Sequence, residues 1–268
     1  CLDARQVKAA LMLQLNKTDA NDAFGLAQIV RTGWFREVQV KSMDAYALGA
    51  SIRIRARLVG LQLDLANQMR GILKTFGVRI SPARGQRFDR RLLAALDDHD
   101  QLLILVRPLL ETWQTARQQM VDIERRLRAH ARNDAVCRRL MTVPGVGVIT
   151  ALCYMTVIDE QARFAKSRSV GAYLGLTPRR YESGETSYTG RISKCGDALL
   201  RSYLYEAAVV LLTRITRWSP LKSWAVRLAE RVGFKKAAVA TARKLAVVLH
   251  AIWQKETDFQ WSTTSEAA

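Results

Sequence analysis

The chain has 268 residues, 49% of them hydrophobic, which excludes a disordered polyelectrolyte and allows one large or two ordinary folded domains. Its 42 Lys and Arg against 24 Asp and Glu leave a formal charge of +18, a field whose commonest counterpart is nucleic acid. No stretch of about 18 apolar residues lacks charge, which argues against a membrane span. Cys1, Cys137, Cys153 and Cys195 form no C-x-x-C pair, and His99, His130 and His250 lie far apart. Neither a zinc site nor a disulfide framework is predicted, and a reducing cytoplasm fits.

Residues 1–43 read as the tail of an α/β unit. Val7–Leu15 is short and apolar, and Thr18 or Asp19 fits a helix N-cap. The helix that follows ends at Gly33, and Glu37–Lys41 alternates like a short strand. Residues 44–133 read as a long helical hairpin. In 44–76, Ile54, Leu58, Leu61, Leu65, Met69, Ile72 and Phe76 step by three or four. Ser81-Pro82 and Gly85 break the chain, and Leu92, Leu96, His99, Leu103, Val106, Leu110 and Trp113 then step four-three-four-three. This predicts an antiparallel coiled coil, with a local kink at Pro108 and His99 as a polar residue of the seam. Residues 134–258 form a mostly helical third region, with a loop-rich stretch over 159–201; residues 259–268 form a tail.

Four constellations can carry chemistry. Asp19 and Asp22, one helical turn apart, point two carboxylates to one side, an arrangement that suits Mg²⁺; alone, the pair equally describes an acidic helix start. Pro144-Gly145-Val146-Gly147 between two helical stretches resembles a helix-hairpin-helix that reads the nucleic-acid backbone, or an ordinary turn. Arg179, Arg180, Arg191, Lys194 and Arg201 bracket Ser183-Gly184. A serine held among guanidinium groups could attack a phosphodiester; the alternative is a basic loop whose serines cap turns. Finally, Lys235, Lys236, Arg243 and Lys244 belong to a basic series between 207 and 255 in which Glu230 is the one acid. Trp218, Trp224 and Trp253, interleaved with it, read as core residues.

Taken in order, these segments resemble the DEDD-type transposases of bacterial insertion-sequence family one-ten, subgroup eleven-eleven, the bridge-RNA-guided recombinases. Lys17-Thr18-Asp19-x-x-Asp22-Ala23 looks like the end of that family's RuvC-like (RNase H-like) domain. Val143–Gly147, Leu174–Pro178, Ser183-Gly184 and Gly190-Arg191-Ile192-Ser193-Lys194-x-Gly196, running on to Leu200-Arg201, look like its C-terminal transposase domain. The resemblance implies a mainly α chain with a small α/β remnant at 1–43, a coiled-coil region at 44–133 and a transposase domain at 134–258. It implies that Asp19 and Asp22 are the last two of four acidic Mg²⁺ ligands. It implies that Ser183, in preference to Ser187 or Ser193, is the nucleophile. Partners would be element and target DNA, a noncoding guide RNA, and further copies of the chain joined through the coiled coil, in the bacterial cytoplasm at the nucleoid. The family's first Asp and its Glu have no counterpart in 1–16, where Asp3 is the one acid, so the expectation is a chain lacking the start of its metal-binding domain, poor in Mg²⁺ affinity and defective in cleavage. Cys195 stands where a basic residue is expected. Two other readings remain open. One is a non-catalytic nucleic-acid-binding protein; the other is a RuvC-like nuclease that uses water and needs Asp19 and Asp22 but not Ser183.

Overall fold

The computed structural model describes residues 1–12, 16–35, 37–83 and 85–261, with Arg5 described by its backbone. Residues 13–15 of the apolar Val7–Leu15 segment, and the tail from Ser262, lie outside them. The chain divides into two compact units, residues 1–43 and residues 44 onward.

The first unit pairs α1 (Ala4–Leu11) with α2 (Asp19–Thr32). Thr18 is the N-cap of α2: its hydroxyl accepts from the Asn21 backbone N–H at 3.2 Å. Gly33 ends the helix in the left-handed conformation, and its N–H donates to the Val30 carbonyl. The strand expected over Glu37–Lys41 is not formed. Glu37 makes one isolated antiparallel bridge with Leu2, and alternation alone does not hold a strand without a paired neighbour.

The second unit opens with α3 (Met43–Thr75), which runs antiparallel to α5 (Asp100–Asn133), with α4 (Gln86–Ala95) between them. Leu65, Met69 and Leu73 of α3 share a core with Phe88 and Leu92 of α4 and with Val106, Leu110 and Trp113 of α5. At the other end, Arg55 of α3 donates from Nε and Nη2 to one oxygen of Glu124 on α5, at 2.9 and 2.7 Å. The helix expected to run unbroken from Leu92 to Trp113 is broken at 96–99. Asp97 and Asp98 favour turns over helix interiors, and the His99 N–H closes a turn onto the Leu96 carbonyl. Leu96 takes the buried place, while His99 is exposed at the start of α5; it is not the polar seam residue expected. Pro108 lies within α5 on its exposed side, where water can satisfy the carbonyl that loses its partner.

The remaining helices build the larger core. They are α6 (Ala135–Leu140), α7 (Val148–Ile158), a 3-10 turn at Gln161–Arg163, α8 (Arg168–Tyr173), α9 (Ala198–Thr213), α10 (Pro220–Val232) and α11 (Phe234–Lys255). α7 is apolar on all sides and buried at eight of its positions, so it is the centre of this core and not an amphipathic surface helix. Its Tyr154 hydroxyl donates to the Ala246 carbonyl of α11 at 2.8 Å. Ile52 of α3 and Leu127 and Ala131 of α5 join the same core. Between α8 and α9 the loop-rich stretch contains one element not predicted, an antiparallel hairpin of β1 (Pro178–Ser183) and β2 (Thr186–Ile192). No helix among the described residues is long and apolar enough to cross a membrane.

Candidate catalytic hairpin and nucleic-acid interface

Asp19 and Asp22 lie in the first turn of α2. That position complements the positive end of the helix and sets both carboxylates toward one side. Among the described residues, no group of three or more His, Cys, Asp or Glu converges as a metal site. Two carboxylates on one side of a helix offer hard oxygen donors, the ligand type that Mg²⁺ takes.

The β1–β2 hairpin begins where two backbone segments cross. Gly175 has φ 66, and a Cβ there would lie 2.5 Å from the Cys195 nitrogen; a Cβ on Gly196 would lie 2.4 Å from the Tyr173 carbonyl oxygen. Only glycines allow this approach. The crossing is closed by the Lys194 N–H donating to the Gly175 carbonyl at 3.0 Å and the Ser193 N–H donating to the Thr177 carbonyl at 2.9 Å. Arg201 clamps it from α9, donating from Nη1 to the Leu174 and Gly196 carbonyls at 3.2 and 2.6 Å. The Leu174–Pro178 and Gly190–Arg201 stretches thus have a shared structural purpose: they anchor the hairpin.

Ser183 is the last residue of β1, paired with Thr186 across a two-residue Gly184-Glu185 turn in which Gly184 has φ 55. Every residue of β1 is exposed. Residues directly opposite, and those two apart, share a face of a hairpin. Ser183 therefore stands on one face with Thr186 and with Tyr181 and Tyr188. These two rings stack at 4.8 Å between centroids, tilted by 13°. The stacked pair was not singled out from the sequence. Its signal was the alternation of Tyr181 and Ser183 mirrored by Thr186 and Tyr188 about Ser-Gly.

The serine is not enclosed by arginines as expected. Arg179 donates to the Ser193 carbonyl at the hairpin base, and four residues along a strand span about 13 Å. Arg180 sits 3.9 Å from Glu182. Arg201 is occupied by backbone carbonyls. Arg191 and Lys194 are exposed. Below the hairpin, Lys194, Arg201, Tyr205, Glu206, Leu176 and Ile192 line a cleft of about 440 Å³. The histidines give Ser183 no base here: His250 is fully buried, with Nε2 3.0 Å from the Gln161 carbonyl and Nδ1 2.9 Å from the Ser167 hydroxyl. Burial holds its pKa below the usual imidazole value, against the opposing pull of the Gln161 carbonyl.

The two glycines of Pro144-Gly145-Val146-Gly147 behave differently. Gly145 has φ 86, and a Cβ there would lie 2.4 Å from the Ala207 carbonyl oxygen, so its lack of a side chain lets the turn pack on α9. Gly147 is exposed with open space around it and caps α7 without a side-chain bond. It leaves backbone N–H groups at that helix start free for an anion.

The basic helices are likewise divided. Lys235, Lys236 and Lys244 are exposed, while Arg243 is half-buried and packs over Gly171. Lys222 is buried, donates to the Ile215 carbonyl and lies over the Trp218 ring. Trp253 is core and Trp224 half-buried, as a core reading requires, but Trp218 is exposed.

Comparison with known proteins bears directly on these segments. Residues 137–222 match the family described as "Transposase IS116/IS110/IS902 family", and residues 2–77 match the DEDD transposase family of the IS110 type. The chain is 30% identical over 250 residues to the transposase for insertion sequence element IS1111A of Coxiella burnetii, covering 91% of this chain and 69% of that protein. It is 32% identical over 252 residues to a probable family 20 transposase of Pseudomonas aeruginosa, covering 91% and 74%. It is 33% identical over 248 residues to the transposase for insertion sequence element IS1328 of Yersinia enterocolitica, covering 91% and 74%. With both its terminal unit and its hairpin-bearing core matched in this way, the chain belongs to the IS116/IS110/IS902 family of transposases.

Proposed function

We propose that this transposase cuts and rejoins DNA strands through a phosphoserine intermediate formed on Ser183. The observation that carries this reading is the placement of Ser183: an exposed hydroxyl at the tip of a hairpin whose base is fixed by two glycine crossings and the Arg201 clamp. A rigid base with a projecting tip can enter a groove or reach a phosphodiester that a core residue cannot. The Ser183 Oγ attacks phosphorus, an Oγ–P bond forms, and the bond from phosphorus to one deoxyribose oxygen breaks. The serine proton ends on that departing oxygen as a strand hydroxyl. A hydroxyl from a second strand then attacks the same phosphorus, restoring the serine and joining the new strands, so the phosphodiester energy is conserved. Arg191, Lys194 and Gly147, with Arg180, Lys235, Lys236, Arg243 and Lys244, hold the phosphate backbone, while Arg179 ties the hairpin base through the Ser193 carbonyl. Gly145 serves by packing the turn that presents Gly147, and Arg201 by positioning the hairpin.

Asp19 and Asp22 would hold a divalent cation, which supplies charge stabilisation to the transferring phosphoryl group when bound. A noncoding RNA guides the choice of DNA, and copies of the chain associate through the α3–α5 helical hairpin, in the bacterial cytoplasm at the nucleoid. The test is an excision assay in cells using the DNA that flanks the gene. Ser183→Ala abolishes excision, while Ser187→Ala and Ser193→Ala retain it. Retention by Ser183→Ala with loss in Asp19→Asn would favour hydrolysis by water on the carboxylate pair instead.

A further inference from the structure

Far along the helical hairpin from Ser183, at the α4 end, lies a second basic concavity. Arg87, Arg90 and Arg91 of α4 and Arg117 of α5 line a hollow of about 400 Å³ together with Pro82 and Gln86. Among the described residues no carboxylate lies within ion-pair distance of these four guanidinium groups. The nearest acid in sequence, Asp89, accepts instead from Gln114 Nε2 at 3.1 Å. Arg91 is held by the Ser81 hydroxyl and the Pro82 carbonyl at 3.1 and 2.7 Å, which fixes the wall of the hollow and leaves the other three guanidinium groups without a protein partner among the described residues.

Beyond the tie from Arg91 to Ser81 and Pro82, the fold gains nothing from this arrangement. Arg87 stands three residues from Arg90 and four from Arg91, spacings at which like charges repel on a helix. Arg87 also lies in the first turn of α4, where the helix dipole disfavours a cation. The core beneath, Phe88 and Leu92 against Trp113, requires none of these charges. Guanidinium groups from two helices, unpaired and converging on one open hollow, match the planar oxygens of phosphate.

We infer that this hollow binds the phosphodiester backbone of a nucleic acid, as a site separate from the β1–β2 hairpin. Its role is to hold one stretch of backbone at the end of the helical hairpin, and it does not depend on Ser183 being the nucleophile. Duplex DNA and folded RNA share this chemistry, and the experiment tells them apart.

The full chain and its Arg87→Gln/Arg90→Gln/Arg117→Gln variant are titrated with a DNA duplex and with an RNA stem-loop of equal length, by fluorescence anisotropy across a salt series. Each lost phosphate contact lowers the slope of log K against log salt by about 0.9 on duplex DNA. The triple variant is expected to lose roughly 2 to 3 from the slope, and about tenfold or more in affinity near 0.1 M salt, on the nucleic acid that occupies the hollow. A loss confined to the duplex assigns the site to DNA, and a loss confined to the stem-loop assigns it to RNA. Arg87→Gln and Arg90→Gln singly, both at exposed positions, are each expected to lower the slope by about 1. The slope reads binding without strand cleavage, so failure here and failure of the serine reading are separable. Unchanged slopes on both probes would overturn the inference. So would an equal loss in the charge-matched variant Arg125→Gln/Arg126→Gln/Arg132→Gln, because the effect would then belong to net charge and not to the hollow.

Discussion

Gly145 and Gly147 are two residues apart in one turn, and the structure predicts opposite consequences for the same substitution. Gly145→Ala places a methyl group 2.4 Å from the Ala207 carbonyl oxygen, 3.3 Å from the carbonyl carbon behind it and 3.3 Å from the Leu211 nitrogen. All three are backbone atoms of α9, so no rotamer change can relieve the overlap. The residue must also keep φ at 86, a region that costs an L residue about 1–2 kcal/mol. Overpacking in a close-packed core adds about 1–3 kcal/mol. The expected loss is therefore about 2–5 kcal/mol, a large share of the roughly 5–15 kcal/mol that holds a typical fold. Gly147→Ala meets nothing within 4 Å and needs no positive φ; exchanging one weak cap for a poorer one costs less than about 1 kcal/mol. Urea unfolding followed by circular dichroism measures both. Equal losses at the two positions would refute the claim that Gly145 is required by its approach to α9.

Three further outcomes follow from the packing and the titrating groups. Trp113→Ala is expected to destabilise the chain by about 3–5 kcal/mol, and a double-mutant cycle with Phe88, whose ring lies 5.2 Å away, should show a coupling of about 0.5–1.5 kcal/mol; additive losses would argue that the rings do not touch. Asp197 accepts from the Leu200 N–H at the start of α9 and pairs with the exposed Arg53, so Asp197→Ala should cost roughly 1–2 kcal/mol, most of it the lost cap, as read by thermal unfolding. Burial holds the folded pKa of His250 below the ordinary imidazole value of 6.5. The unfolded chain therefore takes up a proton first as pH falls, and the stability this group contributes, full above pH 6.5, is lost below it until the folded pKa is reached. Urea midpoints between pH 7.5 and 5.5 should fall in the wild type and flatten in His250→Gln; an unchanged slope would remove His250 as the cause.

The helical parts of the fold were legible because helix formation leaves a period in the sequence. α3 and α5 followed from the spacing of Leu65, Met69, Val106 and Leu110, and α2 from Thr18 and Gly33. The break at 96–99 was hidden because the four-three step of Leu92, Leu96, His99 and Leu103 continues through it; the turn preference of Asp97 and Asp98 outweighed the pattern. The β1–β2 hairpin was missed because its faces carry no apolar alternation. Both are exposed except at Gly190 and Ile192 near the base, its tyrosines stack on each other, and its position is fixed at its base by glycines whose neighbours are distant in sequence. The same limit applies to the site. Ser183-Gly184 and the surrounding basic residues were visible, but a list of cations does not say which are spent on the fold. Arg201 is bound to two carbonyls, Lys222 is buried beside Trp218 and Arg179 reaches back to Ser193, whereas Arg87, Arg90 and Arg117, which no motif marked, line an open hollow.

The central proposal, that Ser183 forms the covalent bond to DNA, is tested most directly by trapping that bond. The protein is incubated with its flanking DNA, the RNA transcribed from that flanking DNA and Mg²⁺, the reaction is denatured, the DNA is digested with nuclease, and the peptides are sequenced by mass spectrometry. The prediction is a nucleotide remnant joined through phosphate to Ser183 and absent from Ser183→Ala. Recombined product accompanied by an adduct on Ser187 or Ser193, or by no protein adduct at all, would contradict it.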